Sequence, residues 1–231
     1  MSIGAPHRHF RSTDSTNTRA RELAAAGAPH GTVVTAGEQT AGRGRQGRSW
    51  TAPAGKALLY SAVLRPLDER HLMLPLAVPL AVCEAAEELE VGIACGVKWP
   101  NDVQVEGRKL AGVLIEARPQ DAWAVIGVGL NLAIAPREFP PELRETATSL
   151  GGASQQAAIA ALNRRLGEWI ECDADSVLAA WRRRDALRGR EVGWEGGSGI
   201  ADGVDDRGYL VVRTEAGRVT VGAGEVHLTR S

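Results

Sequence analysis

The chain has 231 residues, 44% of them hydrophobic, enough for one sizeable core and a small appended module. Its 27 basic residues against 28 acidic ones leave a formal net charge of −1, which argues against a generic nucleic-acid binder, since those carry a basic excess over a face or a domain. No run approaches the ~18 apolar residues of a membrane span, residues 1–8 hold no apolar signal region, and the three scattered cysteines lack metal spacing and fit reduced thiols in the cytoplasm.

In chain order, Asp14-Ser15-Thr16-Asn17 is a cluster of helix-capping residues. The alanine-rich segment 18–26 behind it predicts a helix that ends at Gly27. Residues 32–35 read as a strand, and 58–64 as a well-buried strand stopped by Pro66. A helix is expected over 72–90, with Pro75 in its first turn and Pro79 either kinking it or marking its true start. Short strands follow at 96–99 and 102–105, then a turn at Glu106-Gly107-Arg108, then strands at 109–117 and 123–130. Hairpins with inserted helices imply an α+β domain, a mixed and largely antiparallel sheet with helices on one face.

Two helices come next, from the helical spacing of Ile159, Leu162, Leu166, Trp169 and Ile170 and of Val177, Leu178 and Trp181. Arg182-Arg183-Arg184 reads as the solvated end of the second. From about Gly189 the texture changes to short strands at 191–194, 199–201, 209–213 and 218–221, separated by polar turns. That predicts a small SH3-like β-barrel, 187–231, appended to a first domain of 1–186 and too small to be comfortable undocked.

The most unusual stretch is 38–50, which holds Gly42, Gly44 and Gly47 with Arg43, Arg45 and Arg48. Glycine lets backbone approach a ligand and arginine forks suit carboxylate and phosphate, so the loop is built to close over an anion. It satisfies G-x-G-x-x-G formally. It does not open a helix, however, as a dinucleotide fingerprint should.

Three further patches stand out. Ser15 and Thr16 serve equally as helix caps or as polar contacts beside free helix N–H groups. Lys98-Trp99-Pro100-Asn101-Asp102 leads to Lys109-Leu110-Ala111-Gly112. There Asn101 and Asp102 also fit a plain turn, and Lys109 fits an edge-strand gatekeeper. Gly112 within a strand marks a bulge or a close backbone approach, and Gly127 and Gly129 leave one strand face bare.

Together, Gly42 to Trp50, Lys98 to Val103, Lys109 to Glu116 and Gly127 to Leu132 resemble, in order, the signatures of biotin–protein ligases. Asp14-Ser15-Thr16-Asn17 matches that family's entry motif. The resemblance continues more weakly at 147–150 and at Gly224-Glu225-Val226, which looks like the family's last strand. It implies the class II synthetase-like fold of biotin and lipoate ligases. It also implies formation of biotinyl-5′-AMP from biotin and ATP, then transfer of biotin to one lysine of a biotin carboxyl carrier domain. By resemblance, Ser15, Thr16, Asn17, Gln39, Arg43, Gly44, Arg45, Lys109 and Gly112 bind biotin. Arg45, Arg48, Trp50, Asn101, Asp102, Lys109 and Asn131 fall toward the nucleotide. Arg43, Arg45 and Lys109, with Mg²⁺, screen the approach of carboxylate to phosphate, and Asp102 is the candidate Mg²⁺ ligand.

Gln46 stands where the family often has a second basic residue, so that side chain is expected to be dispensable. Ser15 comes too early to leave room for the helix-turn-helix of the repressor members, which points to the monofunctional class, a monomer or weak homodimer that binds neither nucleic acid nor membrane. Two alternatives are a lipoate or octanoate ligase or transferase of the same fold, and a phosphate-binding regulatory module.

Overall fold

The structure, a computed structural model that describes residues 2–222, 224 and 226–228, has two sheets. The first contains β1 (His7–Phe10), β2 (Val33–Ala36), β3 (Ala57–Leu64), β4 (Cys95–Lys98), β5 (Asp102–Val105), β6 (Arg108–Arg118) and β7 (Trp123–Asn131). Their order is β1-β2-β3-β7-β6-β5-β4, and every pairing is antiparallel except β1 with β2. The mixed, largely antiparallel sheet is therefore present. β1 was not expected: its His-Arg-His-Phe sequence has no apolar alternation. It forms by pairing in parallel with β2, where His7 and His9 both reach the Thr35 hydroxyl, at 2.8 and 2.9 Å.

Four helices accompany the sheet: α1 (Thr16–Ala25), α2 (Leu74–Leu89), α3 (Gln155–Trp169) and α4 (Ala174–Arg183). Residues of α2, α3 and α4 join Leu58, Tyr60, Ala62, Ile126, Val128 and Leu130 in one large core. The alternate residues Val63, Trp123 and Val125 pack instead on Ala20 and Ala24 of α1. Side chains of a strand alternate between faces. So α2–α4 cover one face, while α1 takes the other, the face on which the conspicuous motifs lie.

α2 starts at Leu74 because Asp68 caps a short 3₁₀ turn ahead of it, accepting from Arg70 N at 3.0 Å. The helix runs through Pro79 instead of starting there. Pro79 is itself buried, and the burial of most of the helix outweighs the one backbone bond that proline removes.

The second sheet is β8 (Glu191–Trp194), β9 (Gly197–Val204), β10 (Leu210–Thr214), β11 (Gly217–Val221) and β12 (His227–Leu228), in the order β11-β10-β9-β8-β12. Among the described residues its outer strands β11 and β12 are not joined, so the ladder is an open antiparallel sheet. The last strand is His227–Leu228, just beyond the 224–226 expected, and Glu225 lies outside the described residues.

The second sheet is docked. Val192, Ala201, Val204, Leu210 and Val212 belong to the same core as α2 and α4. Trp99 Nε1 donates to the Gly208 carbonyl at 3.0 Å. The arginine run at the end of α4 does more than meet solvent. Arg182 pairs with Asp206 at 3.2 Å, and Arg184 donates to both oxygens of Glu87 on α2, at 2.5 and 2.8 Å.

Trp99→Phe leaves the Gly208 carbonyl without its donor and is expected to lower stability by about 1–3 kcal/mol. Urea denaturation should show a lower midpoint with an unchanged slope. An unchanged midpoint would mean the indole contributes nothing to docking.

Candidate functional site

The site is built on missing side chains. On the α1 face, β7 continues Trp123 and Val125 with Gly127 and Gly129, and Gly129 pairs with Gly112 of β6. A Cβ at Gly127 would sit 2.1 Å from Asn17 Oδ1, and one at Gly129 would sit 2.3 Å from the Trp50 ring. A Cβ at Gly112 would meet Trp50 at 3.1 Å and Lys109 at 3.3 Å. Asn17 and Trp50 therefore lie directly on sheet backbone.

The start of α1 forms one end. Ser15 has the extended backbone of an N-cap, φ −155° and ψ 134°, yet its side chain makes no capping bond. Gln39 caps instead: its Oε1 accepts from Thr16 N at 2.7 Å and from the Thr16 hydroxyl at 3.0 Å. Ser61, buried in β3, brings its hydroxyl within 2.9 Å of Thr16 Oγ1 and 2.6 Å of Asn17 Oδ1. Asp14 accepts from Ser15 N at 2.6 Å, and Arg19 beside it holds its carboxyl down at about 2. Ser15 thus holds the N-cap position by its backbone, without a capping bond from its side chain.

The glycine–arginine stretch folds back on itself. Trp50 N donates to Gly42 O at 2.9 Å and Gly44 N to Arg48 O at 2.7 Å, around a tight turn at Arg45–Gly47. Gly42 has to be glycine, because a Cβ there would lie 2.2 Å from the Trp50 carbonyl. Gln46 takes the left-handed φ of 53° at the tip and lines the same cleft as Arg45 and Arg48. This hairpin separates the two arginines. Arg43 makes a two-point pair with Glu116 on β6, at 3.0 and 3.1 Å. Arg45 lines a cleft with Arg48, Lys98, Asn101 and Asp102. Burial lowers the Arg45 pKa, while Asp102 opposes that shift. A guanidinium stays charged regardless.

Lys109 stands at the junction of the two ends. Its Nζ is 2.7 Å from Asp102 Oδ1 and 5.6 Å from the Trp50 ring centre. It is no edge gatekeeper. Its backbone pairs with β5 on one side, and on the other its N–H donates to Thr146 O at 2.7 Å while its carbonyl accepts from Thr148 N at 2.9 Å. Lys109 and Gly112 are three residues apart, so strict alternation would put them on opposite faces. The β5–β6 register slips between Val103 and Gln104, so that Leu110 and Ala111 both enter the core. That bulge returns Lys109 to the face of Gly112.

Lys98 faces the same cleft, and burial together with Lys109 and Arg48 pushes its pKa down against the pull of Asp102. Asn101 and Asn131 carry structural duties. Asn101 donates to Val113 O at 2.9 Å, and Asn131 donates to Thr148 O at 2.8 Å, holding segment 146–150 beside Lys109. Gly224, Val226 and His227 of the C-terminal sheet close the far side of the cleft.

Asp102 pairs with Lys109, and among the described residues no three His, Cys, Asp or Glu side chains gather, so no all-protein cage forms. Magnesium ordinarily takes one or two carboxylates together with substrate phosphates, and Asp102 is the carboxylate that lines the cleft. Ser61, Glu116, Lys98 and His227 were missed as site residues. Ser61 sits in a strand whose pattern reads as core and carries no local signal, whereas Glu116 ends the Lys109 motif and Lys98 opens the Lys98 to Asp102 motif.

A family model described as the biotin/lipoate A/B protein ligase family matches residues 9–132, and one described as the biotin protein ligase C terminal domain matches 188–228. The chain is 35% identical to the biotin–[acetyl-CoA-carboxylase] ligase of Paracoccus denitrificans, over 93% of this chain and 97% of that one. It is 38% identical to the ligase of the same name from Mycobacterium tuberculosis, over 93% of this chain and 85% of that one. A biotin protein ligase from Aquifex aeolicus, solved in complex with biotin and ATP, superposes with a TM-score of 0.85 at 31% identity, covering 99% of this chain and all of that one.

Gly129→Ala puts a Cβ into the space of the Trp50 ring. The substitution is expected to cost about 1–3 kcal/mol. It should cost less in a Trp50→Ala background, because the overlap is then relieved. Denaturation of the four proteins of this cycle measures both, and equal costs in both backgrounds would contradict the packing described.

Proposed function

The chain belongs to the biotin/lipoate A/B protein ligase family, and from that membership we infer that it is a biotin–[biotin carboxyl-carrier protein] ligase. It forms biotinyl-5′-AMP from biotin and ATP and passes the biotinyl group to a carrier lysine. The observation that carries this reading is the end-to-end similarity to a solved ligase that holds both biotin and ATP. The C-terminal match favours a biotin ligase over a lipoate or octanoate enzyme.

The residues at the site suit the chemistry. In the first step a biotin carboxylate oxygen bonds to the α-phosphorus, and the bond from that phosphorus to pyrophosphate breaks. Both reactants are anionic, so fixed positive charge lowers the barrier. Lys109 supplies it at the junction, held in place by Asp102 and the Trp50 face. Arg45, Arg48 and Lys98 make the adjoining cleft cationic and suit it to the phosphates. Ser15, Thr16 and Gln39 offer polar contacts at the other end, which suits the head of biotin, with its carboxylate directed past Gly112 toward Lys109. Gly112 and Gly44 let backbone approach the ligand there. Asn17 shapes that end from beneath.

In the second step the carrier lysine amine attacks the carbonyl carbon and AMP departs with the electron pair. The mixed anhydride must be kept from water meanwhile, and the 40–49 hairpin is the segment suited to covering it. Mg²⁺ accompanies ATP on its phosphates, with Asp102 the carboxylate of the cleft that would help to hold it. The partner is a biotin carboxyl carrier domain of a biotin-dependent carboxylase, and the reaction is assigned to the cytoplasm. No helix among the described residues is long and apolar enough to cross a membrane. The two family matches support a division into 1–186, the catalytic unit, and 187–231.

Isotope exchange between pyrophosphate and ATP tests the reading: exchange should require biotin and ignore lipoate or octanoate. Biotin-independent exchange, or none, would reject it. Lys109→Ala should slow adenylate formation by roughly a hundredfold or more while the protein stays folded. Adenylation at the native rate in that variant would exclude Lys109 from the step. Arg45→Gly should shorten adenylate retention about tenfold to hundredfold, the value of a charge-assisted bond. The escaped adenylate would then label bystander proteins mixed into the assay. A variant that keeps its adenylate and labels only the carrier would show that Arg45 does not hold the phosphate.

A further inference from the structure

Glu116 receives donors from parts of the chain that are far apart in sequence. Arg43, from the hairpin, donates through Nη1 to Oε2 at 3.1 Å and pairs through Nη2 with Oε1 at 3.0 Å. Asn17, from the start of α1, donates through Nδ2 to Oε2 at 3.0 Å. Arg21, from the second turn of α1, reaches Oε1 at 3.3 Å. Two carboxylate oxygens offer about four acceptor sites, and these donors fill them. The Glu116 side chain is only 21% exposed, so the pair is less screened than one at the open surface.

The placement separates Arg43 from the charged junction. Asp102 pairs with Gly112, and Glu116 lies four residues further along β6, roughly 13 Å away. With both Nη groups on Glu116, the charge of Arg43 is matched by a carboxylate of the protein. From Gly42 onward the hairpin's backbone bonds join its two limbs to each other, while at its base Thr40 N and Ala41 N donate to Thr13 O and Asp14 O, at 2.8 and 2.9 Å. The Arg43–Glu116 pair joins the first limb to the sheet, and the same carboxylate holds Asn17, which rests on Gly127 and touches Ser61.

We propose that Glu116 is a positioning residue that latches the glycine–arginine hairpin over the site, fixing Arg43 on one side and the start of α1 on the other with one carboxylate. This rests on the ligase reading above. Arg43 is then the loop's anchor, and Arg45 and Lys109 carry the charge that faces the reacting groups. Loss of the latch loosens substrate and adenylate retention and leaves the charge that drives the chemistry in place.

The test uses the full chain with Glu116→Gln, Arg43→Gln, the double variant and Arg21→Gln. Glu116→Gln keeps an acceptor for Asn17 but removes the charge that holds Arg43. It should raise the biotin KM and shorten adenylate lifetime by about two- to fivefold, the upper part of the range for one partly exposed ion pair, with kcat for adenylation changed less than about twofold. A protease that does not cut at arginine should cleave 40–49 faster in Glu116→Gln and in Arg43→Gln. The double variant should be no worse than either single one, and Arg21→Gln should be cleaved there like the native chain. Native KM, lifetime and cleavage in Glu116→Gln would overturn the proposal. So would additive losses in the double variant, or loop cleavage in Arg21→Gln as fast as in Glu116→Gln. If the native enzyme shows no biotin-dependent exchange, the ligase reading fails, while the cleavage comparison still decides whether Glu116 latches the hairpin.

Discussion

The site depends on a stripe of sheet without side chains. Gly127, Gly129 and Gly112 occupy neighbouring positions on one face of β7 and β6, where methyl groups would collide with Asn17 and Trp50. Glycine weakens a strand interior, because it brings no packing and loses more entropy on folding. That cost is met by the opposite face of the same strands, where Ile126, Val128 and Leu130 are buried against the large core. With the floor bare, the start of α1 and the indole of Trp50 rest on backbone, and each carries polar groups to one end of the same surface.

A strongly cationic site on a chain of net charge −1 needs local order among its charges. The structure provides it by setting a carboxylate beside several of these cations. Asp14 takes Arg19, Asp102 takes Lys109, and Glu116 takes Arg43. A lysine or arginine held this way is fixed before a substrate arrives, so less reorganisation is needed when charge develops. Arg45, Arg48 and Lys98 gather in the cleft beyond, where burial first, and then Lys109 and Arg48, lower the Lys98 pKa against the pull of Asp102.

The second sheet is part of this arrangement. Trp99 sits in the middle of the Lys98 to Asp102 motif, and its indole N–H is spent on the Gly208 carbonyl between β9 and β10. Lys98 on one side of that residue and Asn101 and Asp102 on the other line the cleft, whose far wall is Gly224, Val226 and His227. A single short segment thus shapes the cleft and docks the second sheet, which ties the position of the C-terminal sheet to the geometry at Lys109.

Much of this was determined by the sequence alone. The long apolar runs of β3 and β7, the helical spacing in α3 and α4, and the turns between the C-terminal strands are local signals, and local periodicity is what a sequence displays. The family resemblance of the ordered motifs pointed to Ser15, Thr16, Gln39, Arg45 and Lys109, while the glycines at 112, 127 and 129 signalled a close approach on physical grounds, since glycine weakens a strand unless something uses the space. What only the tertiary structure decided are the relations between distant residues. β1 exists through its pairing with β2, and its own composition gives no sign of it. Lys109 faces the site because a bulge at Leu110 shifts the alternation by one, a change the register of β5 imposes. Ser61 and Glu116 look like an ordinary core hydroxyl and an ordinary surface acid. They become part of the site only when β3 and β6 bring them under Thr16, Asn17 and Arg43, contacts 44 to 99 residues apart in the chain, which no local pattern encodes.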